Sequence, residues 1–426
     1  MHLGPRPERN LRLAPDPGRG MQRGGEVISS KLGRKRRARL LTLCLVAGMV
    51  VSQLTTTAAH AKDNAVTGLG ISVYDSNYMA NGTVTLRQAV TQAKEFRIIV
   101  ARPTQYRSYV PDMRAANPSL TLLAYLQGLA AASSNYPKAY YAHDRAGRRI
   151  KLRNWNLYLM EPSNPGWRHV VVDQCKSLVA SSGYNGCFLD QLGVAPLRIS
   201  YVTSIPASPA TGTTYTQGEW LNATGGLGSA VNTAIAPKPV FGNGLVDGSA
   251  YYDSSGPSSA ILKGLWGAMS ELWLRGPTNP IDSYPTATDW KKCVDMVRDA
   301  ASRGKTVLTM TKVWRTATAA QIQAWHRFAL GTFLLGYTPG KSLFEFRSSQ
   351  LQVYDDPLWN IELGNPQGAY TQATGGAYMR VFAKGKVLVN PSTSSVQIAL
   401  GKTMKTYDGR LVSSVVLKPH TAEFLF

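Results

Sequence analysis

From about residue 66 the chain alternates short, almost wholly apolar runs with longer stretches of helical periodicity. The runs are "GISVYD" (70–75), "RIIVARP" (97–103), "TLLAYLQG" (121–128), "GCFLDQLG" (186–193), "PVFGNGL" (239–245), "LWGAMSELWL" (265–274), "TVLTMTKVW" (306–314) and "SLFEF" (342–346). Each is one strand long and apolar throughout, the signature of parallel strands covered on both faces. The segments between them mostly read as helices. "TLRQAVTQAKEF" opens with Thr85 and Gln88 at capping-box spacing, and Thr318 with Gln321 repeats the device. Trp290, Cys293, Val294, Val297 and Ala301 form one helical stripe that Gly304 closes as a C-cap, and Ile322, Trp325, Ala329 and Phe333 form another. Trp167, Val171, Cys175 and Leu178 face inward from the helix before the fourth run.

Eight strand–helix units in succession predict a (β/α)8 TIM barrel over residues 62–370. The competing doubly wound sheet would be helped by a glycine-rich nucleotide loop after the first strand, and "YDSNYMANG" is not one. Beyond residue 370 the pattern changes to short alternating β runs with turn signals, which predicts a small C-terminal antiparallel β-sandwich domain over 371–426. Two connections are too long for a plain helix, 129–165 and 194–218. Both follow strands, so both lie at the C-terminal face of the barrel, where active sites are built. They carry Tyr136, Tyr140, Tyr141, Trp155, Tyr158, Tyr201 and Tyr215, rings able to stack on sugars and equally able to serve as packing.

The first sixty-one residues stand apart. Lys31 to Arg39 is a basic n-region, Leu40 to Val51 is an apolar run short for a membrane span, and Ala59 to Ala61 supplies a small-x-small cleavage pattern. The expectation is a signal peptide behind an N-terminal extension, cleaved after Ala61, with Met21 as an alternative start and a retained anchor as the alternative topology. Removing these residues leaves 36 Lys and Arg against 22 acids, a charge of +14. That charge suits a secreted protein near an anionic cell wall or acidic glycan. No basic cluster interleaved with aromatics tracks a nucleic acid, so no nucleic-acid partner and no stable membrane association are expected. Cys175, Cys187 and Cys293 remain; a Cys175–Cys187 disulfide and buried thiols are both open. A monomer without cofactor is expected.

The C-terminal ends of the eight runs hold Asp75, Gln127, Asp190, Asn243, Glu271, Lys312 and Glu345. Asp190 and Glu271 interrupt apolar sequence, "CFLDQL" and "AMSELW", where an unpaired charge is costly. Strands four and six open into one mouth, so the two carboxylates can face each other. Glycosidic hydrolysis needs such a pair: one attacks the anomeric carbon or activates water, and the other protonates the leaving oxygen. Asp75, Tyr74, Gln127, Trp155, Asn243, Trp273 and Lys312 are the candidate substrate contacts. Lys312 and Glu345 are also candidates for a mutual ion pair, and Glu219 for a helix-dipole partner. Of the histidines His143, His169, His326 and His420 none ends a strand, which argues against a metallohydrolase cluster. No G-x-S-x-G, P-loop or H-E-x-x-H occurs.

"LYLMEPSNPGWRHVVVDQCKSLVASSGYNGCFLDQLG" and "GAMSELWLR" resemble the hypothetical glycosyl hydrolase 15-like group, and the C-terminal segment is similar to the β-sandwich that follows many α-glycanase barrels. By strand position the resemblance implies Asp190 as nucleophile (or base, in an inverting enzyme) and Glu271 as general acid/base, acting on an α-linked glycan. Gln191 departs from it, standing where a second Asp often follows the first. A secreted glycoside hydrolase cleaving a polysaccharide or oligosaccharide is therefore expected; the alternative is a barrel that binds carbohydrate or cell wall without cleaving it.

Overall fold

The computed structural model describes residues 72–77, 84–349 and 357–426. The expected signal segment, and residues 70–71 of the first apolar run, lie outside the described residues. Eight strands pair in parallel and in sequence order: β1 (Tyr74–Asp75), β2 (Ile98–Ala101), β3 (Thr121–Gln127), β4 (Gly186–Asp190), β5 (Val240–Asn243), β6 (Gly267–Ser270), β7 (Thr306–Val313) and β8 (Ser342–Ser348). Val73 bridges Phe344 in parallel, and the Phe344 N–H donates to the Ser72 carbonyl at 3.1 Å, so the sheet closes on itself. Each expected run contains one strand.

Side chains alternate across this wall. Tyr74, Val100, Leu123, Phe188, Phe241, Met269, Leu308, Met310 and Leu343 fill the barrel interior as one cluster. Their neighbours Val73, Ala101, Leu122, Cys187, Leu189, Ala268 and Val307 face outward into the larger core beneath the helices. The same alternation, continued two residues past the interior layer, turns Gln127, Asp190, Asn243 and Lys312 toward the mouth.

Helices α1 (Leu86–Glu95), α2 (Val110–Ala116), α3 (Pro165–Ser182), α4 (Gln217–Ile235), α5 (Ala287–Ser302) and α6 (Ala319–Gly336) cover the outside. Thr85 with Gln88, Thr216 with Glu219 and Thr318 with Gln321 each complete a reciprocal capping box. After β5 there is no long helix. A single turn, Gly248–Tyr251, and a 3-10 stretch, Ser258–Gly264, take its place, because the Gly, Ser and Pro of "GSAYYDSSGPSSA" penalise propagation. Among the described residues β8 is followed by a 3-10 turn, Pro357–Asn360, and no helix is long and apolar enough to cross a membrane. On α5 the buried position is Ala300 rather than Ala301, and on α3 Val179 is buried where Leu178 is half-buried.

Cys175 on α3 is bonded to Cys187 on β4, with Cα atoms 6.1 Å apart, and Cys293 is a free, buried thiol. The strand that ends in Asp190 is thus fastened to the helix that precedes it.

The C-terminal segment forms a four-stranded antiparallel sheet from β9 (Thr371–Gln372), β10 (Tyr378–Phe382), β11 (Gly385–Asn390) and β14 (Thr421–Leu425). A hairpin of β12 (Val396–Lys405) and β13 (Leu411–Leu417) accompanies it. Val387, Val389, Ala422 and Phe424 join the barrel core, while Leu388 and Leu425 pack with Ile398, Leu400, Val415 and Leu417 of the hairpin. Helix α6 is consequently buried on nearly every side from Phe328 to Gly336, not only along its expected stripe. The approach is close: a Cβ on Gly331 would meet the Ala422 Cβ at 2.3 Å.

The long connections after β3 and β4 are zipped together over the mouth. The Thr203 N–H donates to the Lys151 carbonyl at 2.9 Å, Arg153 N–H to the Tyr201 carbonyl at 2.9 Å, and Ala207 N–H to the His143 carbonyl at 2.8 Å.

Candidate active site

Asp190 and Glu271 meet through one amide. The Asn243 Nδ2 lies 3.0 Å from Asp190 Oδ1 and 2.7 Å from Glu271 Oε2. Of the two ends of this amide only the NH2 can face two carboxylates, so each of its hydrogens is committed to one of them. The two oxygens can be no further apart than about 5.7 Å, the two bonds laid end to end. With the roughly 120° spread of an amide's N–H bonds they stand about 5 Å apart.

Asp190 accepts two further bonds, from the Tyr125 hydroxyl to Oδ2 at 2.6 Å and from the Gln191 N–H to Oδ1 at 2.8 Å. The second exists because Gln191 is in the left-handed region, with φ of 70°, a conformation that costs a non-glycine residue about 1 kcal/mol or more. Oδ1 is saturated and Oδ2 keeps one lone pair. Burial raises the Asp190 pKa above the ordinary carboxylate value, the Glu271 charge adds to this, and the three donors oppose it. Burial and the Asp190 charge push the Tyr125 hydroxyl far up, so it remains a donor.

Glu271 lies one residue past β6 and forms an ion pair with Lys312, whose ammonium stands 2.5 Å from Oε1. Lys312 is almost wholly buried, and its Nζ is 4.4 Å from the centre of the Trp314 ring. The chain on either side of Glu271 is held by one carbonyl: Val246 accepts from Ser270 Oγ at 2.7 Å and from the Leu272 N–H at 3.2 Å. Val246 itself is left-handed, with φ of 65°, a rare state for a β-branched residue.

The expected Lys312–Glu345 pair is not formed. Lys312 and Arg347 are register neighbours on β7 and β8, and two adjacent cations turn away from each other. Lys312 takes Glu271; Arg347 takes Glu345 and, at 2.5 Å, Asp75. Ser76 donates from its N–H and its hydroxyl to Glu345 Oε1 at 3.2 and 2.9 Å. Burial raises the pKa of both Asp75 and Glu345, with the Arg347 charge opposing.

Gln127 donates to the Tyr125 hydroxyl at 2.8 Å, at the edge of the pair, and its buried Oε1 has no partner among the described residues. Tyr74 lies deeper, in the barrel interior. Trp273 is corrected outright. The chain turns after Ser270, strand alternation no longer applies, and the indole is fully buried in the outer core. Its Nε1 donates to the Cys293 carbonyl at 2.9 Å. Trp155 is 48% exposed and rests against Tyr201 with ring centres 5.4 Å apart. Tyr201 touches the Gln191 side chain and feels both carboxylates, its pKa raised first by burial and then by the Asp190 and Glu271 charges. Sequence reasoning missed Tyr125 and Arg347. Each stands two residues from a singled-out position, Gln127 and Glu345, and the period of two was the available signal.

The profile of the hypothetical glycosyl hydrolase family 15 matches residues 114–386. No curated protein matches the chain. Among solved structures it is similar to the glycoside hydrolase domain of PelA from Pseudomonas aeruginosa, at 14% identity over 64% of this chain and 98% of that one, with a TM-score of 0.39. It is also similar to an alpha-amylase from Geobacillus thermoleovorans, at 10% identity over 84% and 98% with a TM-score of 0.46. The noncanonic maltogenic alpha-amylase AmyB from Thermotoga neapolitana stands at 9% identity, the same coverages and a TM-score of 0.49. With every one of these TM-scores below 0.5, the three likenesses bear on no question of chemistry.

Proposed function

Because the chain belongs to the hypothetical glycosyl hydrolase family 15, we propose that it is a retaining glycoside hydrolase acting on an α-linked glycan through Asp190 and Glu271. The observation that supports retention is the shared Asn243 amide, which holds the near oxygens of the two carboxyl groups about 5 Å apart, close to the ~5–5.5 Å of retaining pairs and short of the roughly 6.5–9.5 Å that an interposed water needs. Asp190, fixed by three donors and with a lone pair left on Oδ2, attacks the anomeric carbon. Glu271 enters the step as the carboxylic acid, its Oε1 still accepting from the Lys312 ammonium, and protonates the leaving oxygen as the bond breaks. The covalent glycosyl–Asp190 ester removes one negative charge from the pair. Glu271, having given its proton to the leaving group, takes one from the water that opens the ester. The α-linkage rests on the resemblance of these strand positions to those of the acids in α-glycosidase barrels. Export with cleavage after Ala61 belongs to the same proposal, and the Cys175–Cys187 bond supports it, since such bonds persist in oxidising compartments.

The experiment is a reducing-sugar screen with residues 62–426, followed by Asp190→Asn and Glu271→Gln on the responsive glycan. Each variant is expected to lose about 10³-fold or more in kcat while keeping its thermal transition. NMR of the first-formed product should show the anomer of the substrate. Turnover near that of the unmodified protein in both variants, or an inverted product, defeats the assignment.

A further inference from the structure

On the connections after β3 and β4 lies an open groove of about 470 Å³, lined by Lys151, Arg153, Asn154, Trp155, Asn156 and Thr203. It sits at the end of a strongly basic ribbon. Between Lys138 and Arg153, "KAYYAHDRAGRRIKLR", there are six Lys and Arg and one acid, Asp144. Asp144 is taken by Arg148, at 2.8 Å. Among the described residues no carboxylate pairs with Arg149, Lys151 or Arg153.

These cations are held in place by partners that leave their charge uncancelled. Arg149 lies 4.0 Å over the Tyr141 ring and Lys151 4.8 Å over the Tyr158 ring. Arg153 uses Nε on the Ile199 and Val202 carbonyls, at 2.6 and 2.8 Å, and is otherwise exposed. The positive field is felt beneath the ribbon: His143 is held below its ordinary pKa, first by burial and then by Lys138 and Arg149. A path of contacts joins the groove to the carboxylates. Trp155 rests on Tyr201, Tyr201 touches Gln191, and Gln191 is adjacent to Asp190.

We propose that this groove is a distal subsite for an acidic glycan, with a sugar face on Trp155 and the carboxylate or phosphate groups of the chain on Lys151 and Arg153. The inference rests on the hydrolase reading for its direction, since the bound chain would run from the groove toward Asp190 and Glu271. Stacking on a half-exposed indole calls for a ring with an apolar face. Unpaired cations around that indole call for anionic substituents. A neutral glucan would answer only the first requirement and a bare polyanion only the second.

The test measures binding to the full mature chain carrying Asp190→Asn, so that no probe is consumed. The probes are oligogalacturonate (carboxylate-bearing), wall teichoic acid (phosphate-bearing), maltooligosaccharides (neutral) and double-stranded DNA. At least one acidic glycan should bind, with affinity falling tenfold or more between 50 and 500 mM salt, an interval of about one decade over which surface ion contacts are screened. Trp155→Ala and Lys151→Glu should each weaken that binding by about tenfold with the thermal transition unchanged, a loss equivalent to ~1.4 kcal/mol. Tighter binding of maltooligosaccharides than of either acidic glycan overturns the proposal. So does acidic binding indifferent to Trp155→Ala, DNA binding as tight as glycan binding, or no acidic binding at all. If the unmodified protein hydrolyses nothing yet the salt- and Trp155-dependent binding persists, the hydrolase reading fails and this one stands. Hydrolysis of a neutral glycan without acidic binding is the converse.

Discussion

The Tyr125 hydroxyl accepts from Gln127 and therefore has its single proton left for Asp190. That bond is one of the influences lowering the Asp190 pKa, against burial and the Glu271 charge, which win. A nucleophile must be ionised, so activity should disappear as pH falls through the raised Asp190 value. The acidic limb of kcat/KM is expected above the ordinary carboxylate pKa of about 4. Tyr125→Phe removes a donor and raises the Asp190 value further. The limb should move to higher pH with kcat down by about tenfold or more, and a limb that stays in place would show Asp190 not to be the group that titrates. Asp190, Asn243 and Lys312 were legible because each stands in an apolar run at a place where strand alternation faces the mouth, and Glu271 because it interrupts one just past the end of its strand. Tyr125 was hidden because a tyrosine in "LLAYLQ" reads as core. Arg347 was hidden because the expected run stopped at Phe346. The left-handed backbones of Gln191 and Val246 have no sequence signal, since neither residue favours that conformation.

At the level of elements, the capping threonines marked three helix starts, two of them foreseen as boxes, and every apolar run became a strand. What the pattern could not show is what covers a helix from outside. The α6 stripe accounted for the face on the barrel, whereas the opposite face is buried by the C-terminal sheet, a contact between segments about sixty to ninety residues apart in sequence. The missing helix after β5 is the reverse case, where local composition overrules the repeat. The α3–β4 disulfide was open in sequence and is formed in the structure. Closing a loop of 12 residues should stabilise the fold by about 3 kcal/mol in the chain-entropy account. Reduction, or paired Cys175→Ala and Cys187→Ala, is therefore expected to lower the unfolding free energy by that amount in urea titration. A change below ~1 kcal/mol would mean the crosslink constrains little of the unfolded chain.

For the molecule as a whole, the barrel and the appended sheets lie in one compact unit, and a single side chain shows how they are coupled. Arg380, on β10, donates from one terminal nitrogen to the carbonyls of Leu334, Leu335 and Tyr337, at 3.0, 2.9 and 2.6 Å, and from Nε to the Gly368 carbonyl at 2.9 Å. Leu334 and Leu335 lie in the last turn of α6 and Tyr337 is its C-cap, where a helix runs out of its own N–H donors. Burial lowers the Arg380 pKa to about 10, which still leaves it charged at neutral pH and favourably placed at the negative end of the helix. Arg380→Met should cost about 3 kcal/mol by stranding these carbonyls, read as a lower unfolding midpoint with kcat unchanged in the molecules that remain folded. Residues 62–370 expressed alone should be recovered as aggregate, and a soluble, cooperative barrel would refute the coupling. For heredity, a recombination junction between α6 and β10 would separate a helix from the cation that ends it. A foreign C-terminal partner would have to bring its own positive charge to the same spot. The barrel and its tail are therefore expected to be inherited together, as one unit of descent rather than two.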